Sequence, residues 1–166
     1  KGHIQIDKKL KYGKIDSIHG SYMFINKKRF DEINGWDDKI FLYFEETDYA
    51  YRGKKLGFNS YQINSIRTKT IDTTVKINNE NEKKKWLNLL VWHFIWSKFY
   101  TSKKKYGFII SFIIFLPIII RILFRLFLYS IFYDKKKLVK YKFRLSGLYN
   151  SIIGNNSYLR LKDIKN

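Results

Sequence analysis

Apolar and polar positions alternate in short blocks over the first half of the chain and merge into long apolar runs over the second. Residues 17–25, SIHGSYMFI, concentrate apolar and aromatic side chains over a strand's length and predict a β-strand. The block that follows, NKKRFDEINGW, predicts a short helix. Asn26 can cap it, Phe30 and Ile33 fall on one face, and Asn34-Gly35 stops it. A second helix is predicted from Glu45 to Lys55, ending at Gly57. FNSYQI (58–63) and SIRTKTI (65–71) predict two short strands separated by a polar turn. The polar run KINNENEKKK (76–85) reads as a connector and divides residues 1–75 from 86–166.

The second half follows a different rhythm. WLNLLVWHFIWSKFY (86–100) is rich in rings and too short to cross a bilayer. Tyr106–Ile120 carries no charge, Arg121 and Arg125 interrupt the run, and Leu126–Tyr133 resume it. A helix needs about 20 apolar residues to cross the hydrocarbon core. The whole run satisfies that only if the arginines snorkel or face protein, and Pro117 can kink it. Lys103–Lys105 and Lys135–Lys137 flank it on both sides, whereas a single span normally carries its basic charge on one side. Symmetric flanks favour a re-entrant hairpin or helices lying on an anionic leaflet, each nearby cation contributing roughly 1 kcal/mol. A buried core helix in a larger protein is the plainer alternative.

Charge sharpens this division. Residues 1–82 hold 15 Lys/Arg against 12 Asp/Glu, and residues 83–166 hold 18 against Asp134 and Asp163 alone, so nearly all of the net +19 lies in the second half. A polyanion, nucleic acid or an anionic membrane surface, is the partner such asymmetry implies. Cysteine is absent, which excludes disulfides, thiolate metal sites and cysteine nucleophiles. The chain opens on Lys1 without a signal-peptide pattern, and is expected to be a processed or truncated product.

Against this background the carboxylates of GWDDKIFLYFEETDYAYRGKKLGF (35–58) stand out: Asp37, Asp38, Glu45, Glu46 and Asp48, beside Tyr43 and Phe44. Acids in the first turn of a helix complement its dipole by about 0.3–1 kcal/mol each, an ordinary explanation for Glu45, Glu46 and Asp48 taken alone. The order of elements says more. HGSYMFINKKRFDEINGWDDKIFLYFEETDYAYRGKKLGF resembles the acceptor-side half of the family 2 glycosyltransferases, in particular their rhamnosyltransferase-like branch. That half carries a Gly-Ala strand, then Gly-Gly-Phe-Asp-Glu, Phe-Phe-x-Tyr-x-Glu-Asp-x-Asp, an Arg and a later Gly-Tyr. WHFIWSKFYTSKKKYG and FRLSGLYNSIIGNNSYLR look like the closing region of such enzymes.

The resemblance implies an α/β fold: the acceptor-side part of a GT-A type nucleotide-sugar transferase, followed by amphipathic, membrane-associated helices. It implies transfer of a sugar from a nucleotide-sugar donor to a hydroxyl acceptor, carbohydrate or lipid-linked, in cell-surface polysaccharide synthesis. An alcohol is a poor nucleophile, so a carboxylate within hydrogen-bond reach must take its proton as it attacks the anomeric carbon. The motif places that base on Glu46, where the family has Asp, and gives Asp48 the positioning of base or acceptor. Gly20, Trp36, Asp37, Tyr43 and Glu45 would line the acceptor site, Trp36 and Tyr43 by stacking on sugar rings.

The family's donor half, with the Asp-x-Asp loop that holds Mg²⁺ or Mn²⁺ against the diphosphate, is expected upstream of Lys1. No metal ligand is assigned within the chain. Thr68 stands where the family often has a His. His19 and His93 are isolated, and each reads as a solvated or core histidine. The expected location is the cytoplasmic face of the inner (plasma) membrane, on an anionic surface. Two rival classes remain: a non-enzymatic membrane-surface module built on residues 86–145, and a basic nucleic-acid binder. Against the second, the longest apolar run has no role on nucleic acid and no nucleic-acid motif is present.

Overall fold

A computed structural model of the chain describes residues 11–17, 20, 22–66, 77 and 79–164. His19, Thr68 and most of the SIRTKTI segment lie outside the described residues. The chain divides into two compact units, residues 1–38 with 45–75 and residues 39–44 with 76–166.

The first unit holds β1 (Tyr12–Ile15), α1 (Lys27–Glu32), α2 (Glu45–Lys55) and β2 (Ser60–Ile63). The strands pair antiparallel, Tyr12 opposite Ile63 and Ile15 opposite Ser60, with the Tyr12 and Tyr61 rings edge to face. Both predicted helices form. Asn26 caps α1 by accepting from the Arg29 amide, and Asn34 and Gly35 leave it through left-handed backbone at φ 61° and 63°. Phe58 N–H donates to the Gly53 carbonyl beyond α2, closing the helix at Gly57. Asp48, Tyr49, Ala50 and Gly53 are the buried residues of α2. Gly53 meets Ile33, since a Cβ there would lie 3.1 Å from Ile33 Cδ1.

Two expectations need correction here. Among the described members of 17–25, Ser17, Gly20 and Tyr22–Ile25 form turn and irregular backbone, and the strand lies earlier, at β1. Gly20 sits in the turn that leads toward α1, and Tyr22 and Phe24 are 54% and 93% exposed, so the apolar content there belongs to no ladder. The described residues contain a two-stranded antiparallel sheet and are otherwise mostly helical; no parallel sheet occurs among them.

The second unit is three helices: α3 (Glu80–Tyr106), α4 (Phe108–Ile131) and α5 (Lys135–Ile152), with a 3-10 turn at Leu161–Asp163. The expected connector 76–85 is largely helix. Asn79 caps α3 by accepting from the Asn81 and Glu82 amides, so the charged run from Glu80 onward forms its first turns. Glu80 and Glu82 at the start and Lys103–Lys105 at the end of α3 complement its dipole. Gly107, at φ 82° and ψ 170°, separates α3 from α4.

One face of α3 builds the core. Leu89, Trp92 and Trp96 pack with Leu159 and Ile164, while Ile95 and Phe99 pack with Phe115, Ile122 and Leu148. The α3–α5 approach is set by Gly147, where a Cβ would lie 2.5 Å from the Trp92 carbonyl oxygen. The Ser151 hydroxyl donates to the Trp96 carbonyl at 2.9 Å, and the Trp92 indole donates to Ser146 Oγ at 3.2 Å. Small residues on α5 let the backbones close and satisfy the polar atoms that closure buries.

α4 runs unbroken through Pro117 and is long and apolar enough to cross a membrane. It presents Ser111, Phe115 and Ile122 inward, at helical spacing. Most of the rest is exposed; only 17% of its most apolar window is buried. The Arg125 guanidinium donates to the Tyr129 hydroxyl at 2.7 Å, one turn on.

Candidate functional site

The first turn of α2 separates its carboxylates by environment. Asp48 is 2% exposed, and its Oδ2 accepts a 2.7 Å bond from Nε of Arg52, one turn along. The same guanidinium donates to the Ile33 carbonyl and, at 2.7 Å, to the Gly35 carbonyl. Arg52 thus ties α2 to the turn that ends α1, and Asp48 orients it. The i, i+4 spacing of Asp48 and Arg52 was the sequence signal for this pair. A carboxylate this enclosed acts through what it positions.

Glu46 differs. It is half-buried, and a Cβ on Gly20 would lie 3.8 Å from both Cδ and Oε2 of its carboxyl group. Glycine at position 20 keeps a side chain out of the space next to the Glu46 carboxylate. These two sequence-predicted residues are brought together. Glu45 is half-buried as well, and its Oε2 is enclosed without a hydrogen-bond donor among the described residues. A buried carboxylate oxygen in that state is costly unless a donor arrives.

Trp36 lies 43% exposed over an aromatic cluster, with its ring 5.1 Å from that of Tyr49 and 5.7 Å from that of Phe30. Tyr49 is buried, and burial pushes its phenol pKa up, offset in part by the Arg52 charge. It supports Trp36 from below and carries no proton in or out at neutral pH. Asp37 is half-buried beside Trp36 in sequence. In the second unit, Tyr43 packs edge to face on Phe94 at 5.5 Å. Tyr43 and Phe44 both hold left-handed backbone, at φ 66° and 68°. For aromatic residues this costs roughly 1–2 kcal/mol each, strain of a kind that collects at functional segments. Nothing in the sequence announced it.

Among the described residues no three His, Asp or Glu side chains converge as a metal site. His93 is a core histidine. Its Nε2 lies 2.9 Å from the Leu159 carbonyl and its Nδ1 2.9 Å from Ser157 Oγ, so the neutral ring donates from Nε2 and accepts the serine hydroxyl. Burial holds its pKa below the ordinary histidine value, and the nearby Arg160 charge lowers it further.

Comparison with known proteins gives one partial relationship. The chain is 30% identical over 63 residues to the low-salt glycan biosynthesis hexosyltransferase Agl10 of Haloferax volcanii, a stretch covering 36% of this chain and 20% of that protein. The matched part thus spans about a fifth of the relative's length. No protein-family profile matches the chain, and no solved structure matches it. The similarity is to a glycosyltransferase, over part of the chain.

Proposed function

We propose that this chain is the acceptor-side and membrane-binding part of a glycosyltransferase of the family 2, GT-A type, with Glu46 as general base. The observation that carries the reading is the division of labour in α2: Asp48 is buried and bonded to Arg52, while Glu46 is half-exposed and its carboxylate lies next to Gly20, where glycine leaves room beside it. The partial similarity to a hexosyltransferase supports it.

In the proposed reaction an acceptor hydroxyl donates its proton to a Glu46 carboxylate oxygen as the hydroxyl oxygen attacks the anomeric carbon. The bond from that carbon to the nucleotide diphosphate breaks, and the diphosphate departs with the electron pair. Such a base contributes about 10²–10⁴-fold. The enclosed Oε2 of Glu45 would accept from a second acceptor hydroxyl, and Trp36, held on Tyr49 and Phe30, offers a ring face to the sugar. Asp48 acts as a positioning residue through Arg52. The nucleotide-sugar and its Mg²⁺ or Mn²⁺ are assigned to a donor half outside these residues, and no step here is drawn through the metal.

α4, with its exposed apolar face between lysine clusters, would hold the enzyme at an anionic membrane on its cytoplasmic side, where lipid-linked acceptors are presented. The rival reading as a membrane-surface module without catalysis uses α4 equally well but gives no reason for the Gly20–Glu46 pairing. The test is transfer of sugar by the full-length protein carrying Glu46→Gln, compared with Glu45→Gln.

A further inference from the structure

A cavity of ≈ 700 Å³ opens in the second unit between the first half of α3 and the first half of α5. That volume suits a ligand of drug size or a lipid headgroup with part of its tail. Its walls are apolar, with Leu87, Val91 and Phe94 on α3 facing Val139 on α5. Five cations line it as well, Lys84 from α3 and Lys135, Lys136, Lys140 and Arg144 from α5, beside the uncharged polar Tyr43 and Asn88. No acid lines it. Asp134, the acid nearest in sequence, caps α5 through the Lys137 amide and pairs with the Lys137 ammonium at 2.9 Å, and Lys137 is not a lining residue. Lys84, Lys135, Lys136 and Lys140 have no ion pair among the described residues. An apolar trough under five cations, with no anion of its own, is complementary to an amphiphile with an anionic head.

Position in the chain identifies the source. Lys135 follows the last residue of α4, Ile131, after only three residues, of which Phe132 and Tyr133 are 73% and 85% exposed. With α4 lying along the interface, its C-terminal end holds Lys135 and Lys136 at the level of the headgroups.

We propose that this groove binds one anionic phospholipid of the membrane, its phosphate among Lys135, Lys136, Lys140, Lys84 and Arg144 and the first part of its tail between Val91, Phe94 and Val139. The cations would serve as a fixed lipid seat and not only as a diffuse surface charge. The inference uses the membrane placement of α4 but not glycosyl transfer.

The test uses the full chain in a neutral detergent with dihexanoyl phosphatidylglycerol, dihexanoyl phosphatidylcholine and inorganic phosphate as separate probes, binding being followed by calorimetry. The short lipids need no bilayer, so failure of the α4 membrane reading, measured by vesicle pelleting, is distinguishable from failure of the groove. The anionic lipid should bind about tenfold or more tighter than the other two. Lys136→Glu with Lys140→Glu should remove that advantage. Val139→Trp, at a position 41% exposed, should remove it as well by filling the groove with net charge unchanged. Lys54→Glu with Lys55→Glu on α2, an equal change in charge, should leave it intact. Far-ultraviolet circular dichroism checks that each variant keeps its helices. Equal binding of inorganic phosphate, full binding by Val139→Trp, an equal loss in the α2 control, or tighter binding of a single-stranded oligonucleotide than of the lipid would each overturn the proposal.

Discussion

Asp48 and Arg52 form a buried ion pair one helical turn apart, 2.7 Å between Oδ2 and Nε, with the side chain of Asp48 1% and that of Arg52 22% exposed. Because the guanidinium also serves two carbonyls at the end of α1, the pair fixes the angle at which α2 presents Glu46. Removing Arg52 takes the ion-pair partner from a buried carboxylate, a loss of about 3–5 kcal/mol. Arg52→Met should therefore lower stability by that order in chemical denaturation. The double variant with Asp48→Leu should recover part of it, giving a coupling energy of about 1 kcal/mol or more in the mutant cycle.

Gly147 offers a test of the α3–α5 contact. With the Trp92 carbonyl oxygen 2.5 Å from where a Cβ would stand, Gly147→Ala forces two backbones apart. Overpacking of this kind costs about 1–3 kcal/mol, although alanine is the better helix former. The midpoint of thermal unfolding should fall. Gly154→Ala gives the comparison, since no atom stands within 4 Å of a Cβ there and only its left-handed φ of 86° is strained.

The pH dependence follows from His93. Its folded pKa lies below the unfolded value, near 6.5, because burial disfavours the charged ring. The folded state then binds fewer protons than the unfolded one below that value. The stabilisation is complete above the unfolded pKa and is lost as pH falls through the folded pKa. Unfolding free energy measured from pH 7.5 downward should begin to drop near pH 6.5, before the carboxylates titrate. His93→Gln should flatten that part of the curve, at a cost in stability at pH 7.5.

α4 carries the membrane claim. A 24-residue helix is about 36 Å long, more than the roughly 30 Å hydrocarbon core. In a transverse placement Arg121 would lie about 15 Å from the helix end, near the bilayer centre. The account instead lays α4 along the interface with both arginines at headgroup level. The chain should pellet with anionic vesicles and largely release into high salt, and Arg121→Glu with Arg125→Glu should weaken pelleting several-fold. Extraction only by detergent, at any salt, would favour a spanning helix.

Local chemistry was legible where one residue decides an element. Asn26 as cap, Asn34-Gly35 as stop and Gly57 as terminator announced α1 and α2, because capping acts within a few residues. The start of α3 was hidden: Asn79 is as good a cap as Asn26, but the charged run behind it reads as a linker until its apolar partners on α5 are known. β1 was missed because its pattern YGKI has little apolar content and its pairing partner lies 45 residues or more away. At the site, the residue types Gly20, Trp36, Glu46 and Asp48 were all visible in the motif. Their division into a buried latch and an accessible carboxylate was not, since burial is decided by Ile33, Gly35 and Arg52 converging from separate elements. The left-handed backbone of Tyr43 and Phe44 had no sequence signal, as aromatic residues rarely adopt it.

The central claim is that Glu46 takes the acceptor's proton. Its most direct measurement is single-turnover sugar transfer by the full-length protein carrying Glu46→Gln, with donor affinity and melting temperature determined on the same preparation. The account predicts a fall in the transfer rate of about 10²–10⁴-fold, with donor affinity and melting temperature nearly unchanged, and a much smaller fall for Glu45→Gln. Transfer by Glu46→Gln at near the wild-type rate, or a loss of stability matching that of Glu45→Gln with no selective loss of turnover, would contradict it and leave Glu45 and Glu46 as partners of the helix dipole alone.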